Sequence, residues 1–257
     1  MRQPIQLSDQ DLEQYRNDGY LVVPDLLTEA EVSAFAAYAD CPEQMARFGI
    51  LAHRQDLHWA RLATHPNTAG IAQQILGGMP RIVQTMYMRK NPAAAGADLG
   101  APGVALHQDT HHLPNDPNTL MACWIAMSDT DAENGGLCVV PGSHRDGLRA
   151  SRPNESVEHA TWQLDHSMRD RDGRTWTEHF YSFQIDGVDR KDTVELIIPR
   201  GSGVFFTSLT IHGSYANRSA NRTRRAFAVH FVRDGTWVSR CDVQDTTAVT
   251  AFSALAQ

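Results

Sequence analysis

From residue 80 onward, Gly-, Pro- and Asn-rich turns cut the chain into short apolar segments, and this limits its fold more than any other feature. Candidate strands run over 81–89, 104–109, 120–128, 137–140, 194–198, 203–207 and 225–232. Turn signals separate many of them: Asn91-Pro92, Asn115-Asp116-Pro117, Asn134-Gly135-Gly136, Pro141-Gly142-Ser143 and Arg200-Gly201-Ser202-Gly203. Many short strands joined by such turns build a sandwich or a jelly roll. A chain of 257 residues with 42% hydrophobic content suits one all-β domain of that kind.

The first 79 residues read differently, as a mainly helical flank. Ser8 with Asp11, and Thr28 with Glu31, have the spacing of capping boxes at the head of helical patterns. Between them, residues 19–24 read as a short strand that ends at Pro24. A further helix is expected over about 67–76, stopped by Gly77-Gly78. The expected organisation is a single domain over 1–257, with a jelly-roll core over 80–240. Residues 145–192 break the strand rhythm. They are polar and rich in Arg, Asp, His and Trp, and are read as a long loop inserted in the core, either a surface insertion or a lid over the substrate.

The 30 acidic and 23 basic residues give a net charge of −7 without a long basic run, which argues against nucleic acid as a partner. No apolar stretch is long enough to suggest a membrane span, and the opening segment has no apolar core of signal-peptide length. A soluble, cytoplasmic protein is expected. Cys41, Cys123, Cys138 and Cys241 form no CxxC pair and read as free thiols of a reducing compartment.

The chemistry concentrates in His107-Gln108-Asp109. Side chains two apart on a strand share a face, so this imidazole and carboxylate can converge on one metal ion. A bare His-x-Asp triplet occurs in many proteins by chance; its context gives it weight. His212 follows the apolar strand 203–207 and is the best third ligand among the 12 histidines. Two histidines and one carboxylate make a facial triad that leaves positions open for oxygen chemistry at Fe(II). His111 and His112 adjoin the motif as solvated or supporting imidazoles. His144 is read as a turn residue, and His230 as a satisfied interior histidine.

Gly213 allows close approach at His212, and Ser214 would share the face of His212 in an extended chain. Its hydroxyl could bond a carboxylate or simply close a turn. Arg222, Arg224 and Arg225 open the last strong strand, and a guanidinium binds a carboxylate bidentately. Parity puts Arg224 with Ala226, Ala228 and His230, where small residues leave space, and so favours it over its neighbours.

Taken in order, these pieces resemble the phytanoyl-CoA dioxygenase family of Fe(II)/2-oxoglutarate oxygenases. The resemblance covers most of the chain. It rests on Asp18-Gly19-Tyr20-Leu21-Val22-Val23-Pro24, His107-Gln108-Asp109, Trp124-Ile125-Ala126-Met127, Asn134-Gly135-Gly136-Leu137, Pro141-Gly142-Ser143-His144, His212-Gly213-Ser214, Asn217 and the arginine cluster. It implies a double-stranded β-helix, a cupin-like jelly roll with helices packed outside. It implies Fe(II) held by His107, Asp109 and His212. It implies 2-oxoglutarate held by Arg224 and Ser214, with Trp124 lining the pocket, and Lys90 at a position that can contact the cosubstrate; a solvated strand end is the other reading of Lys90.

The implied reaction consumes O2 and 2-oxoglutarate, releases succinate and CO2, and hydroxylates a small-molecule substrate. Related halogenating oxygenases replace the carboxylate ligand with a small residue, so Asp109 favours hydroxylation. The alternatives are a cupin-type metalloenzyme and a non-catalytic binding module on the same fold. Oligomeric state leaves no mark in the sequence.

Overall fold

Along Met121–Ala126 every residue is buried, and strict alternation sorts them onto two faces. Met121, Cys123 and Ile125 join one apolar cluster, while Ala122, Trp124 and Ala126 join another. This strand is therefore central to a sheet covered on both sides. The computed structural model, which describes residues 3–41, 50–97 and 99–249, shows that sheet to have six strands, with every neighbouring pair antiparallel. Their order is Tyr20–Val23, Gly203–Thr207, Met121–Ala126, Arg224–Arg233, Pro80–Lys90 and Thr247–Ala248. The ends of the expected 1–257 span lie outside the described residues.

A second antiparallel sheet runs in the order Val194–Glu195, Leu137–Val139, His212–Ser214 and Val104–His107. Leu137 and Val139 from this sheet pack with Trp124, Val204 and Phe206 of the first. The two facing sheets form the expected jelly roll.

The outer face of the large sheet carries the helices. These are Asp9–Asp18, Glu29–Ala39, Ala52–Gln55, Leu57–Ala63 and Pro66–Leu76. Phe227, fully buried on that face, stacks on Trp59 with ring centroids 5.3 Å apart and planes 9° off parallel. Burying one such side chain stabilises the fold by about 1.5–3 kcal/mol. Both expected capping boxes form. Thr28 N–H donates to Glu31 Oε2 at 2.8 Å, and Ser8 N–H donates to Asp11 Oδ2 at 2.8 Å. The last long helix ends at Gly77 in the left-handed region, as its sequence predicts.

The Pro141-Gly142-Ser143-His144 segment has a structural task. The first helix leaves carbonyls unpaired at its C-terminal end. Gly142 N–H donates to Asp18 O at 2.8 Å, Arg145 to Asn17 O at 2.9 Å, and His144 Nε2 to Arg16 O at 3.0 Å. His144 thus closes a helix end rather than its own turn. Gly19 takes φ 79° beneath it, where a Cβ would lie 2.4 Å from His144 Nδ1.

Three expectations need correction. The strand expected over 104–109 ends at His107, and Asp109 opens a 3-10 turn over Asp109–His111. The strand expected over 194–198 pairs only at Val194–Glu195, with Ile198 adding an isolated bridge to Thr130. The 145–192 insertion is a β structure and not an irregular loop: Gln163–Arg169 pairs with Thr175–Tyr181, and Ser151–Pro153 with Phe183–Ile185. Its far end is tied down by Arg190, which donates to Ser214 O at 2.9 Å and lies 4.5 Å over the Tyr215 ring.

All four cysteines are free thiols, Cys123 and Cys138 buried, Cys41 and Cys241 exposed. Among the described residues, no helix is long and apolar enough to cross a membrane.

Candidate active site

His107 ends one strand and His212 begins its neighbour, and the two are direct partners across the antiparallel ladder. Such partners have Cβ atoms about 5 Å apart, and here the ring centroids lie 4.3 Å apart. Gln108 stays extended, with φ −118° and ψ 130°, so Asp109 returns to the face of His107 before the chain turns. The Gln108 amide points the other way and is fully buried. It donates to Gly147 O at 2.9 Å and Leu209 O at 2.6 Å, and accepts from Arg149 N at 2.9 Å. The middle residue of the triplet is thus a strut that sets the angle of the other two.

His107 Nδ1 donates to Ala105 O at 2.9 Å, and His212 Nδ1 to Thr210 O at 3.0 Å. A carbonyl partner places the proton on Nδ1 and leaves the Nε2 lone pair for a metal. Both Nε2 atoms point at one carboxylate oxygen, Asp109 Oδ1, at 3.4 Å from His107 and 3.7 Å from His212. One donor atom from each residue lies within 4.8 Å of the others, so the three could hold one metal ion. Burial opposes the charge on Asp109, yet the His212 and His230 imidazoles hold its pKa well below the usual carboxylate range. Burial and the neighbouring His107 pull the His212 pKa down to about 4. A neutral His212 and an ionised Asp109 are the forms a metal needs.

These ligands occupy one end of a cavity between the sheets, and Arg224 and Ser214 reach its other end. Trp124, Met86, Met88 and Phe206 make its apolar walls. Arg224 is buried, and its Nε donates to Gly135 O at 3.1 Å while Nη1 has no partner. Its guanidinium lies 5.7 Å over the Trp124 ring. Burial lowers its pKa to about 10, which still leaves it a cation.

Lys90 is not a solvated strand end. It is buried, and its Nζ donates to Ser214 Oγ at 2.8 Å and Tyr215 O at 2.5 Å. Burial, and then the Arg224 and Arg190 cations, push its pKa down to about 6. Gly135 makes room for it: φ is 92°, and a Cβ there would sit 2.7 Å from Lys90 Cδ. The Asn134-Gly135-Gly136 turn therefore shapes the cationic end of the cavity.

Arg222 and Arg225 point elsewhere. Arg222 pairs with Asp131 at 2.7 Å, and Arg225 with Asp40 at 2.9 Å. Neither Arg224 nor Lys90 has a carboxylate partner among the described residues. A buried arginine cation with an orphaned guanidinium nitrogen, and the Lys90 amine beside it, fit an anion in the cavity. A small dicarboxylate with one end at the histidines and the other at Arg224 meets that requirement.

His111 is half-buried, stacks on Phe183 with ring centroids 5.0 Å apart, and contacts Arg149 O through Nε2 at 2.9 Å. His112 lies beside His107, ring centroids 5.5 Å apart, and carries Phe183 at 4.7 Å and Trp162 at 5.4 Å from the insertion. His230 is an interior histidine satisfied by Gln84, as expected, but it also reaches Asp109 Oδ2 at 3.2 Å. Strand parity places His230 on the inner face; nothing local in the sequence marks its link to a residue 121 positions away.

Residues 15–226 match the family model for phytanoyl-CoA dioxygenase (PhyH). Human peroxisomal phytanoyl-CoA dioxygenase is 25% identical over 243 residues, covering 84% of this chain and 66% of that protein. The chain thus spans just under two thirds of the human protein. Ectoine dioxygenase of Stutzerimonas stutzeri is 28% identical over 242 residues, covering 85% of this chain and 75% of that one. Among solved structures, the epimerase SnoN in complex with Fe3+, alpha ketoglutarate and nogalamycin RO superposes with a TM-score of 0.67 at 20% identity, covering 90% of this chain and 85% of SnoN. EctD from S. alaskensis with bound Fe gives 0.63 at 18% identity, covering 91% and 79%. At these identities the two structures speak to the fold.

Proposed function

Because the chain belongs to the phytanoyl-CoA dioxygenase family, we propose that it is an Fe(II)- and 2-oxoglutarate-dependent dioxygenase that hydroxylates a small-molecule metabolite. The observation that carries this reading is the two-ended cavity. His107, Asp109 and His212 converge at one end, and Arg224 stands without counter-charge at the other, with the buried Lys90 amine next to it across the ladder. A cupin-type metal site has no use for that second end.

When bound, iron with 2-oxoglutarate and O2 supplies the oxidising power that places oxygen on the substrate and releases succinate and CO2. The chain's own residues bind and orient. His107, Asp109 and His212 supply three ligands and leave positions for the keto acid and for O2. Arg224 takes the distal carboxylate of 2-oxoglutarate, with Ser214 and Lys90 beside it, which fixes the direction in which the cosubstrate enters. Trp124, Met86 and Phe206 exclude water from the space between. Asp109 fills the position that a halide would need, which favours hydroxylation over halogenation. The insertion at 145–192 forms the outer wall on the His112 side, through Trp162 and Phe183, and selects the substrate. Four free thiols are in keeping with a reducing, cytoplasmic setting.

The test is succinate release from 2-oxoglutarate with Fe(II), ascorbate and a metabolite library, with His107→Ala as control. The wild type is expected to release succinate only when Fe(II) is added, and the control none. Absence of Fe(II)-dependent 2-oxoglutarate binding would overturn the proposal.

A further inference from the structure

The two oxygens of Asp109 have different partners. Oδ1 faces the Nε2 atoms of His107 and His212. Oδ2 is 3.2 Å from His230 Nε2 and turned away from them. His230 is itself fixed: it is 4% exposed and lies directly across the ladder from Gln84 on one side and Ala122 on the other. Gln84 Nε2 donates to His230 Nδ1 at 3.4 Å. That leaves the ring proton on Nε2, where it donates to Oδ2. The strand is bulged between His230 and Phe231, a device that re-aims a side chain. The methyl group of Ala122 leaves the ring room to reach inward.

The geometry points to His230 as a positioning residue: held by Gln84, it occupies Asp109 Oδ2, so that the carboxylate meets the metal through Oδ1 alone. This rests on the iron-binding reading above. Its consequence is a coordination count. Three protein ligands leave three positions of an octahedral ion open, enough for a chelating keto acid and one O2. If Oδ2 were free to swing onto the metal, the carboxylate would take a fourth position and compete with O2. Although His230 lines the cavity, its ring nitrogen is directed at Asp109, and it acts through that carboxylate.

The test uses the full chain under anaerobic conditions, titrated with Fe(II) and, separately, with Co(II). The ligand-field absorption of Co(II) responds to coordination number. His230→Phe is expected to bind either ion about 10–100-fold more weakly and to shift the Co(II) spectrum toward higher coordination. His230→Gln, which keeps an N–H donor, is expected to recover most of both. Gln84→Leu is expected to show the same spectral shift at smaller amplitude, and serves if His230→Phe fails to fold.

Wild-type affinity and spectrum in a folded His230→Phe protein would overturn the inference and leave the dioxygenase reading standing. Weaker binding with an unchanged Co(II) spectrum would also overturn it, since a general loss of structure produces that. A wild type that binds neither ion would overturn the dioxygenase reading itself, and the inference with it.

Discussion

Lys90 and Arg224 are direct partners across two antiparallel strands, both buried, and neither meets a carboxylate among the described residues. Arg224 stays a cation, and a buried cation without a counter-ion destabilises a fold, because lost hydration is not recovered. Arg224 Nη1 lacks even a hydrogen-bond acceptor. Arg224, with the Lys90 amine beside it, makes sense as a waiting site for an anion. Arg224→Met is therefore expected to weaken 2-oxoglutarate binding by about 2–5 kcal/mol, at least about thirty-fold in Kd. The ligand-free variant is expected to be no less stable than wild type, because the desolvation penalty goes with the charge. Calorimetric titration and thermal unfolding read the two quantities. Unaltered 2-oxoglutarate affinity in the variant would remove Arg224 from the site.

Lys90 adds a pH dependence. Its pKa falls from 10.5 to about 6 in the folded, ligand-free chain, through burial first and then the Arg224 and Arg190 cations. An unfolded chain keeps that proton up to the ordinary lysine range. Between about 6 and 10.5 the unfolded state therefore binds more protons, and ligand-free stability should rise with pH across that window. A bound dicarboxylate favours the charged amine and raises its pKa. Binding above pH about 6 should then take up a proton, and affinity should decline as pH rises further. Calorimetry in two buffers of different ionisation enthalpy measures the uptake. Lys90→Met should abolish it, and buffer-independent heats for the wild type at mildly alkaline pH would contradict the assignment.

What the sequence discloses, and what it hides, follows from how far apart the partners lie. His107, Asp109 and His212 are legible because strand parity and a glycine next to His212 are local signals. The choice of Arg224 over its neighbours is only half legible. Parity points Arg224 inward, but the carboxylates that claim Arg222 and Arg225 are 91 and 185 residues away. Lys90 is opaque for the same reason, since the turn at Gly135 that encloses it belongs to another part of the chain. His230 declares its face but not its partner. The insertion hides its strands differently. Gln163–Arg169 and Thr175–Tyr181 are exposed along most of their length, so no apolar alternation marks them. The turn between them did leave a signal, Asp172-Gly173, with Gly173 at φ 86°.

The insertion also decides where selectivity is to be sought. Trp162 is 44% exposed and stands 5.4 Å from His112, whose ring is 5.5 Å from His107. Phe183 flanks the same imidazole at 4.7 Å. A substrate entering over His107 would meet this aromatic wall. Trp176, on the same hairpin, is the control: its indole N–H donates to Glu178 on the same strand at 3.1 Å. An aromatic contact is worth about 0.5–1.5 kcal/mol beyond the area it buries. Trp162→Ala is expected to lower kcat/KM for the primary substrate by about 2- to 10-fold, with Fe(II) and 2-oxoglutarate affinities unchanged. Trp176→Ala should leave all three alone. The comparison needs a substrate found by the succinate screen, and the wild type and both variants assayed side by side. Equal losses in the two variants would mean that the hairpin acts through its stability, and not through the wall that Trp162 presents to the site.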